Sequence, residues 1–280
     1  MNKPTNVAQV NNLRRTAAFF IVVPILFLCV SSLPAQSIWT MRGEQSTLEV
    51  EYLHPVLKEG SNPSSADIVT ISTRVKSGNN SAIIFELPWV SGVTTSSFLL
   101  QSQSQSAIGN PYIGIEFESN DKDFFGEVGV RVPLMAEQSN TAAIAGIIAD
   151  FYRLEAYTPN IFQLRGALNL KPELGGGFSI RLHCGPSFDF STRDGGGSET
   201  FLDYAVVLGL ETESVGAGVG LIGRTSTVSN AVNSNVDQLE GILRIHIDRI
   251  HPALQLRTPL DDVLNNLYDL EFGINLAVQF

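Results

Sequence analysis

Leu270-Glu271-Phe272-Gly273-Ile274-Asn275-Leu276-Ala277-Val278-Gln279-Phe280 decides the fold. Its even positions are all apolar and its odd positions polar or small, the period-two signature of a strand with one apolar face. Working back from it, the same template matches residues 46–54, 67–76, 81–89, 110–118, 124–134, 160–171, 176–190, 200–212, 214–225, 236–248 and 252–260. Most of these twelve segments are near the ~9–11 residues that a tilted membrane-crossing strand requires. Past Gln36 no apolar stretch approaches the ~18 residues of a spanning helix. The pattern predicts an all-β fold: a twelve-stranded antiparallel up-and-down transmembrane β-barrel over 46–280, with short periplasmic turns and longer outer loops.

Charge placement sharpens the reading, because a basic residue facing lipid near the midplane costs roughly 2–4 kcal/mol. Val69, Ile71 and Val75 oppose Arg74; Ile83, Phe85 and Leu87 oppose Glu86; Leu239, Leu243 and Ile245 oppose Glu240, Arg244 and His246. The expectation is that no charge falls on the apolar parity of any segment. A soluble sandwich also alternates. Against it, aromatics such as Trp89, Phe117, Phe178 and Phe190 sit toward segment ends, as interfacial girdles do. Glycines 216, 218 and 220 occupy the polar parity, and connection lengths alternate. Short ones lie near residues 78–80, 120–121, 175–176, 213 and 249; long ones span 55–66, 90–109, 135–159, 191–199, 226–235 and 261–266.

At the other end, Arg14 and Arg15 precede an apolar run from Ala17 to Val30 and then Ser31, Ser32, Leu33, Pro34 and Ala35. That order reads as a secretory signal peptide over 1–35, cleaved after Ala35, with 36–45 as a periplasmic N-terminal segment. Of the two cysteines only Cys184 then remains, which rules out an intramolecular disulfide and a thiolate metal site. A net charge of −10 with no local basic cluster argues against a nucleic-acid partner. No motif calls for a metal or a cofactor. The expected location is the outer membrane of a Gram-negative-type bacterium, with both termini periplasmic and membrane lipids as the surrounding partner.

The terminal strand, with Gly273, Leu276, Val278 and the final Phe280, resembles the C-terminal signal that outer-membrane assembly machinery recognises on its substrates. That resemblance implies the assembly machinery and periplasmic chaperones as partners during biogenesis. Within barrels, Ile108-Gly109-Asn110-Pro111-Tyr112-Ile113-Gly114 resembles outer-membrane transporters grouped with phenol-degradation pathways; it carries no functional residue across.

The polar parity supplies the candidate lumen and selectivity residues: Arg74, Glu86, Glu116, Glu127, Arg131, Arg165, Arg181, His183, Asp189, Asp203, Arg224, Glu240, Arg244, His246 and Arg257. Glu49, Glu51, Glu211, Asp248 and Glu271 share it. Unpaired charges away from water are costly, so either water fills the lumen or a salt-bridge network closes it. His183 and His246 are joined by no motif to a nucleophile, so a lipid-active enzyme is the remote alternative and a catalytic residue is not assigned. Two loops bear on access. The uncharged 90–109 stretch suits an inward constriction or a plain surface loop. Ile144, Ile147, Ile148 and Phe151 stand at helical spacing, which predicts a short amphipathic helix over the mouth or rim. The expectation is a passive channel or facilitator for small solutes, with a sealed structural or surface-interaction barrel as the alternative.

Overall fold

The computed structural model describes residues 45–96, 101–120, 123–193, 195–227 and 235–280; the expected signal peptide over 1–35, and 36–44 of the expected segment after it, lie outside them. The strands are β1 (Thr47–Leu57), β2 (Ser65–Lys76), β3 (Ser81–Ser96), β4 (Gln101–Ile108), β5 (Tyr112–Glu118), β6 (Phe124–Arg131), β7 (Ile161–Leu170), β8 (Glu173–Gly175), β9 (Phe178–Ser191), β10 (Ser198–Glu211), β11 (Val215–Ser226), β12 (Asn235–Ile245), β13 (Ile250–Pro259) and β14 (Tyr268–Gln279). Twelve of them form a closed antiparallel barrel in the order β1-β2-β3-β5-β6-β7-β9-β10-β11-β12-β13-β14, with β9 against β10. The ring closes where β14 pairs with β1, from Thr47↔Gln279 to Leu57↔Tyr268. Closure satisfies backbone donors and acceptors within the wall, which a strand structure in lipid requires. The remaining two, β4 and β8, are short additions pairing with β3 and β9.

Alternation sorts the side chains as the sequence predicts. Leu48, Ile71, Phe85, Ile115, Leu208, Leu221, Leu239, Leu256 and Ile274 are exposed on the outside, while Glu49, Arg74, Glu86, Glu116, Asp203, Glu240, Arg257 and Asn275 are buried inside. An outward apolar belt around a polar interior inverts a water-soluble protein and fits lipid. The strands thus cross the membrane. Leu221 lies mid-strand in β11 and Val215 at its end, both facing out. Leu221→Arg is therefore expected to destabilise the folded barrel by roughly 2–4 kcal/mol and Val215→Arg by ~1 kcal/mol or less, measured by urea unfolding in vesicles. Equal penalties would contradict this depth assignment.

Three expectations are corrected. Asp67 and Asp237 do lie on the outward parity, both at the loop end of their strands, where they accept hydrogen bonds from Tyr52 Oη (2.6 Å) and Tyr204 Oη respectively. His54 Nδ1 lies 2.9 Å from Asp67 as well. Tyr52 donates from the neighbouring strand and Tyr204 from β10 across Gly223 of β11, so each acid has a phenol partner at the rim. Asp248 is not on a strand: it sits in the turn before β13 with φ of 53°.

The third concerns the long loops. Against the inward alternative, the described residues of the 90–109 stretch stay in the wall: β3 runs on to Ser96 and β4 returns beside it, raising the wall into a hairpin, and 97–100 lie outside the described residues. The segment that enters is 132–160, carrying helix α1 (Asn140–Ala149) and a 3-10 helix, Phe151–Ala156. Helix α1 packs on the inward residues Leu53, Ala66, Ile68 and Val90, so it stands inside the mouth instead of lying over it. Its buried residues are Ala142, Ala143, Ala145, Gly146, Ile148 and Ala149, while Ile144 is exposed. Small residues are what a helix inside a narrow barrel can present to the wall: a Cβ on Gly92 of β3 would come within 2.6 Å of Ala145, and one on Gly146 would collide with the Tyr157 ring.

Candidate functional site

The candidate site is the lumen together with the segment that fills it. All fifteen lumen residues expected from the sequence line the inner face, and most are buried. Beyond facing inward, they join into clusters, several of them completed by the inserted segment.

Arg257 on β13 is the first hub. Its guanidinium lies 3.1 Å from Glu240, 3.1 Å from Glu271, and 3.5 Å from both Glu51 and Asp150. Asp150 belongs to the inserted segment, and so does Arg153, which pairs with Asp150 (2.5 Å) and with Glu51. Two arginines thus hold four acids drawn from β1, β12, β14 and the insert.

Arg224 on β11 makes the second. It pairs with Glu155 of the insert, reaches Asp203 at 3.4 Å, donates to Ser187 Oγ at 2.9 Å and covers the Phe201 ring at 4.2 Å. Arg165 meets the same Asp203 at 3.5 Å and lies over Tyr152. The Asp189 carboxyl of β9 interacts with the same Glu155. Deeper in, Tyr152 Oη lies 2.8 Å from His183 Nε2, and His183 Nδ1 lies 3.1 Å from Asn169, which also takes bonds from Arg181.

The rest of the network belongs to the wall. Arg131 pairs with Glu86 at 2.8 Å, and Tyr112 donates to Glu127. Toward the turn end Arg74 binds Glu116 and Glu118, and Lys76 binds Glu118. Arg244 stands 3.9 Å from Glu211, which accepts from His246. A cavity of about 10 Å³, space for about one water, remains beside Tyr152, Arg224 and Gln238.

Sequence reading missed the insert's own ionic residues, Asp150, Arg153 and Glu155, and it missed Asn110. Fully buried Asn110 donates to the carbonyls of Glu155 and Thr158, each at 2.7 Å, and accepts from the amides of Leu134 and Met135, each at 2.8 Å. Its own amide donates to Ala156 O at 2.7 Å. One side chain therefore uses two donors and two lone pairs, its ordinary complement, to pin both legs of the insert. Gly109 beside it is required by space, since a Cβ there would collide with Ala156 O. The available signal was local: Gly109-Asn110-Pro111 interrupts the run between β4 and β5, where a continuous strand would avoid glycine and proline.

No family model and no curated protein matches this chain. Among solved structures it is similar to an outer membrane channel from Pseudomonas putida F1, at TM-score 0.57 and 9% identity over 88% of this chain and 99% of that one. It is also similar to LpxR from Salmonella typhimurium, at TM-score 0.51 and 11% identity over 84% and 100% respectively. Outer membrane phospholipase A from Escherichia coli follows at TM-score 0.43 and 13% identity, over 83% and 92%. At such identities the likeness speaks for fold alone, and the fold shared with the first of these is the closed barrel that the alternation in this sequence predicts.

Proposed function

We propose that this chain is an outer-membrane conduit for small solutes that is held closed by its own 132–160 segment. The observation that carries it is the chemistry of the closure. The insert is tied to the wall through Arg153–Glu51, Asp150–Arg257 and Glu155–Arg224 as well as through the small apolar face of α1. Buried ion pairs return little net stability, and their partners are groups that water can serve when the insert leaves. With the insert's own Asp150, Glu155 and Arg153 gone, nine buried acids of the wall face seven buried arginines among the described residues, so the passage that opens favours cations.

Placement in the outer membrane is part of this reading, supported by the signal-like N-terminus, the apolar belt and the channel of like fold. β1 begins and β14 ends at the same, short-turn end, which we assign to the periplasm. Gly273, Leu276 and Val278 on β14, with Phe280 directly after it, are then the segment offered to the assembly machinery after escort by periplasmic chaperones. A conduit is preferred to a lipid hydrolase because both ring nitrogens of His183 are engaged, by Tyr152 and Asn169, which leaves it no free base.

The test is conductance in planar bilayers. The intact chain is expected to be closed nearly all the time, and a variant with 140–157 replaced by a short Gly-Ser linker should show steady steps with a cation-selective reversal potential in a KCl gradient. A correctly folded deletion variant that stays silent would defeat the proposal. The second reading, a permanently sealed barrel, would then stand on the wall network of Arg74, Glu116, Glu118 and Lys76, which needs nothing from the insert.

A further inference from the structure

At the turn-end lip of the lumen two imidazoles face one another. His246, just past β12, and His251, on β13, bring their Nδ1 atoms to 3.0 Å with rings edge-on and centroids 5.1 Å apart. On its far side His246 Nε2 lies 2.9 Å from Glu211 Oε2. Glu211 reaches it from β10 across β11, and does so only because residue 216 is glycine: a Cβ there would collide with the Glu211 carboxylate. His251 is 4% exposed, whereas the Glu211 side chain is 44% exposed, so the pair is backed by the wall yet open to solvent on one side.

We infer that His246 and His251 form a binding site for a divalent transition-metal ion, with Glu211 as the outer partner that orients His246. A carboxylate on the distal nitrogen of a ligating histidine fixes the tautomer and raises the basicity of the other nitrogen. Here it places the proton of His246 on Nε2 and leaves the Nδ1 lone pair toward His251. Zn–N bonds of about 2.0–2.1 Å at a tetrahedral angle separate two nitrogens by about 3.3 Å, so the pair opens by about 0.3 Å and the rings turn to aim both Nδ1 lone pairs at the ion. His251 shifts its proton from Nδ1 to Nε2 as the ion enters, and the Gln279 side chain interacts with the same imidazole. Water completes the coordination. The charged groups facing the pair are Glu211 and Arg244, whose Nη1 is 3.9 Å from Glu211 Oε1; the carboxylate therefore serves both a guanidinium and the metal-bound imidazole. Imidazole donors suit Zn²⁺, Cu²⁺ and Ni²⁺ and disfavour Mg²⁺ and Ca²⁺.

The experiment titrates Zn²⁺ and Co²⁺ calorimetrically into the untagged full chain refolded in detergent, at pH 7.5. One ion per barrel is expected, with Mg²⁺ and Ca²⁺ giving no heat. His246→Ala and His251→Ala should each weaken binding at least tenfold, Glu211→Gln by about 10- to 100-fold, the usual range for an outer-shell partner. The Co²⁺ absorption spectrum should lose its protein-ligand bands in both histidine variants. Heat-modifiable gel mobility reports folding, and His246 at the lip keeps the test open should His251→Ala misfold. Absence of Zn²⁺ and Co²⁺ binding, or binding unchanged in His246→Ala, would overturn the site. Full-strength binding in Glu211→Gln would overturn the role of the carboxylate.

Discussion

Asn110→Ala should convert a closed barrel into one that opens frequently. The asparagine side chain makes four hydrogen bonds, all to the inserted segment and none to the strands of the wall. Truncation strands two amides and two carbonyls, the Met135 amide and the Glu155 carbonyl in buried places and the other two part-buried, and each orphaned buried group costs ~1–3 kcal/mol unless the segment moves to find water. Release thus becomes easier by about 3 kcal/mol or more, an equilibrium shift above a hundredfold. Two readouts follow. Conductance steps should appear in planar bilayers, and trypsin should cut after Arg153, which in the intact protein is buried against Glu51 and Asp150. The strands do not depend on Asn110 for pairing, so heat-modifiable mobility should be retained. A folded Asn110→Ala barrel that is uncut at Arg153 and as silent as its parent would show that the segment is not a movable closure.

That residue also marks where sequence reading ran out. The barrel was legible because lipid outside and polar groups inside impose one rule, alternation, on every spanning strand; Leu270 to Phe280 obeys it throughout. The same rule placed Arg74, Arg224 and Arg257 correctly on the inner face. It is silent about who pairs with whom, since Arg257 meets Glu51 across 206 positions of chain and only closure of β14 on β1 brings them together. The insert escaped for a different reason. Ile144, Ile147 and Ile148 suggested an amphipathic helix, but inside a barrel the surface packed on the wall at the mouth is made largely by Ala142, Ala145, Gly146 and Ala149, whose helical spacing is hidden in a hydrophobicity pattern by the larger isoleucines beside them. His251 was lost at a boundary: the alternation Ile250, Pro252, Leu254 begins directly after Arg249, so the turn is tighter than the sequence suggests and the strand starts earlier.

Removing the charge of Arg257 is expected to have the largest effect on the fold itself. Its guanidinium is within 3.5 Å of four carboxylates, and Glu240 and Glu271 among them are wholly buried. Arg257→Met keeps most of the volume but leaves Arg153 as the one arginine paired with Glu51 and Asp150, and Glu240 and Glu271 lose their shared partner. Breaking a buried ionic cluster from one side costs about 3–5 kcal/mol, because the abandoned charges stay desolvated. The urea midpoint for unfolding from vesicles should drop accordingly. Arg193→Met provides the contrast: its pair with Glu137 is exposed on both sides, and such surface pairs contribute at most ~1 kcal/mol. If desolvated charge, and not lost packing, is the cause, the triple change Arg257→Met, Glu240→Gln, Glu271→Gln should regain most of the stability that the single change loses. Because Arg257 also grips Asp150, the triple variant should remain stable yet hold its insert less firmly, with more tryptic cleavage after Arg153 than the intact protein. A triple variant no more stable than Arg257→Met would mean that the arginine acts through its packing and that the acids around it are not the burden proposed.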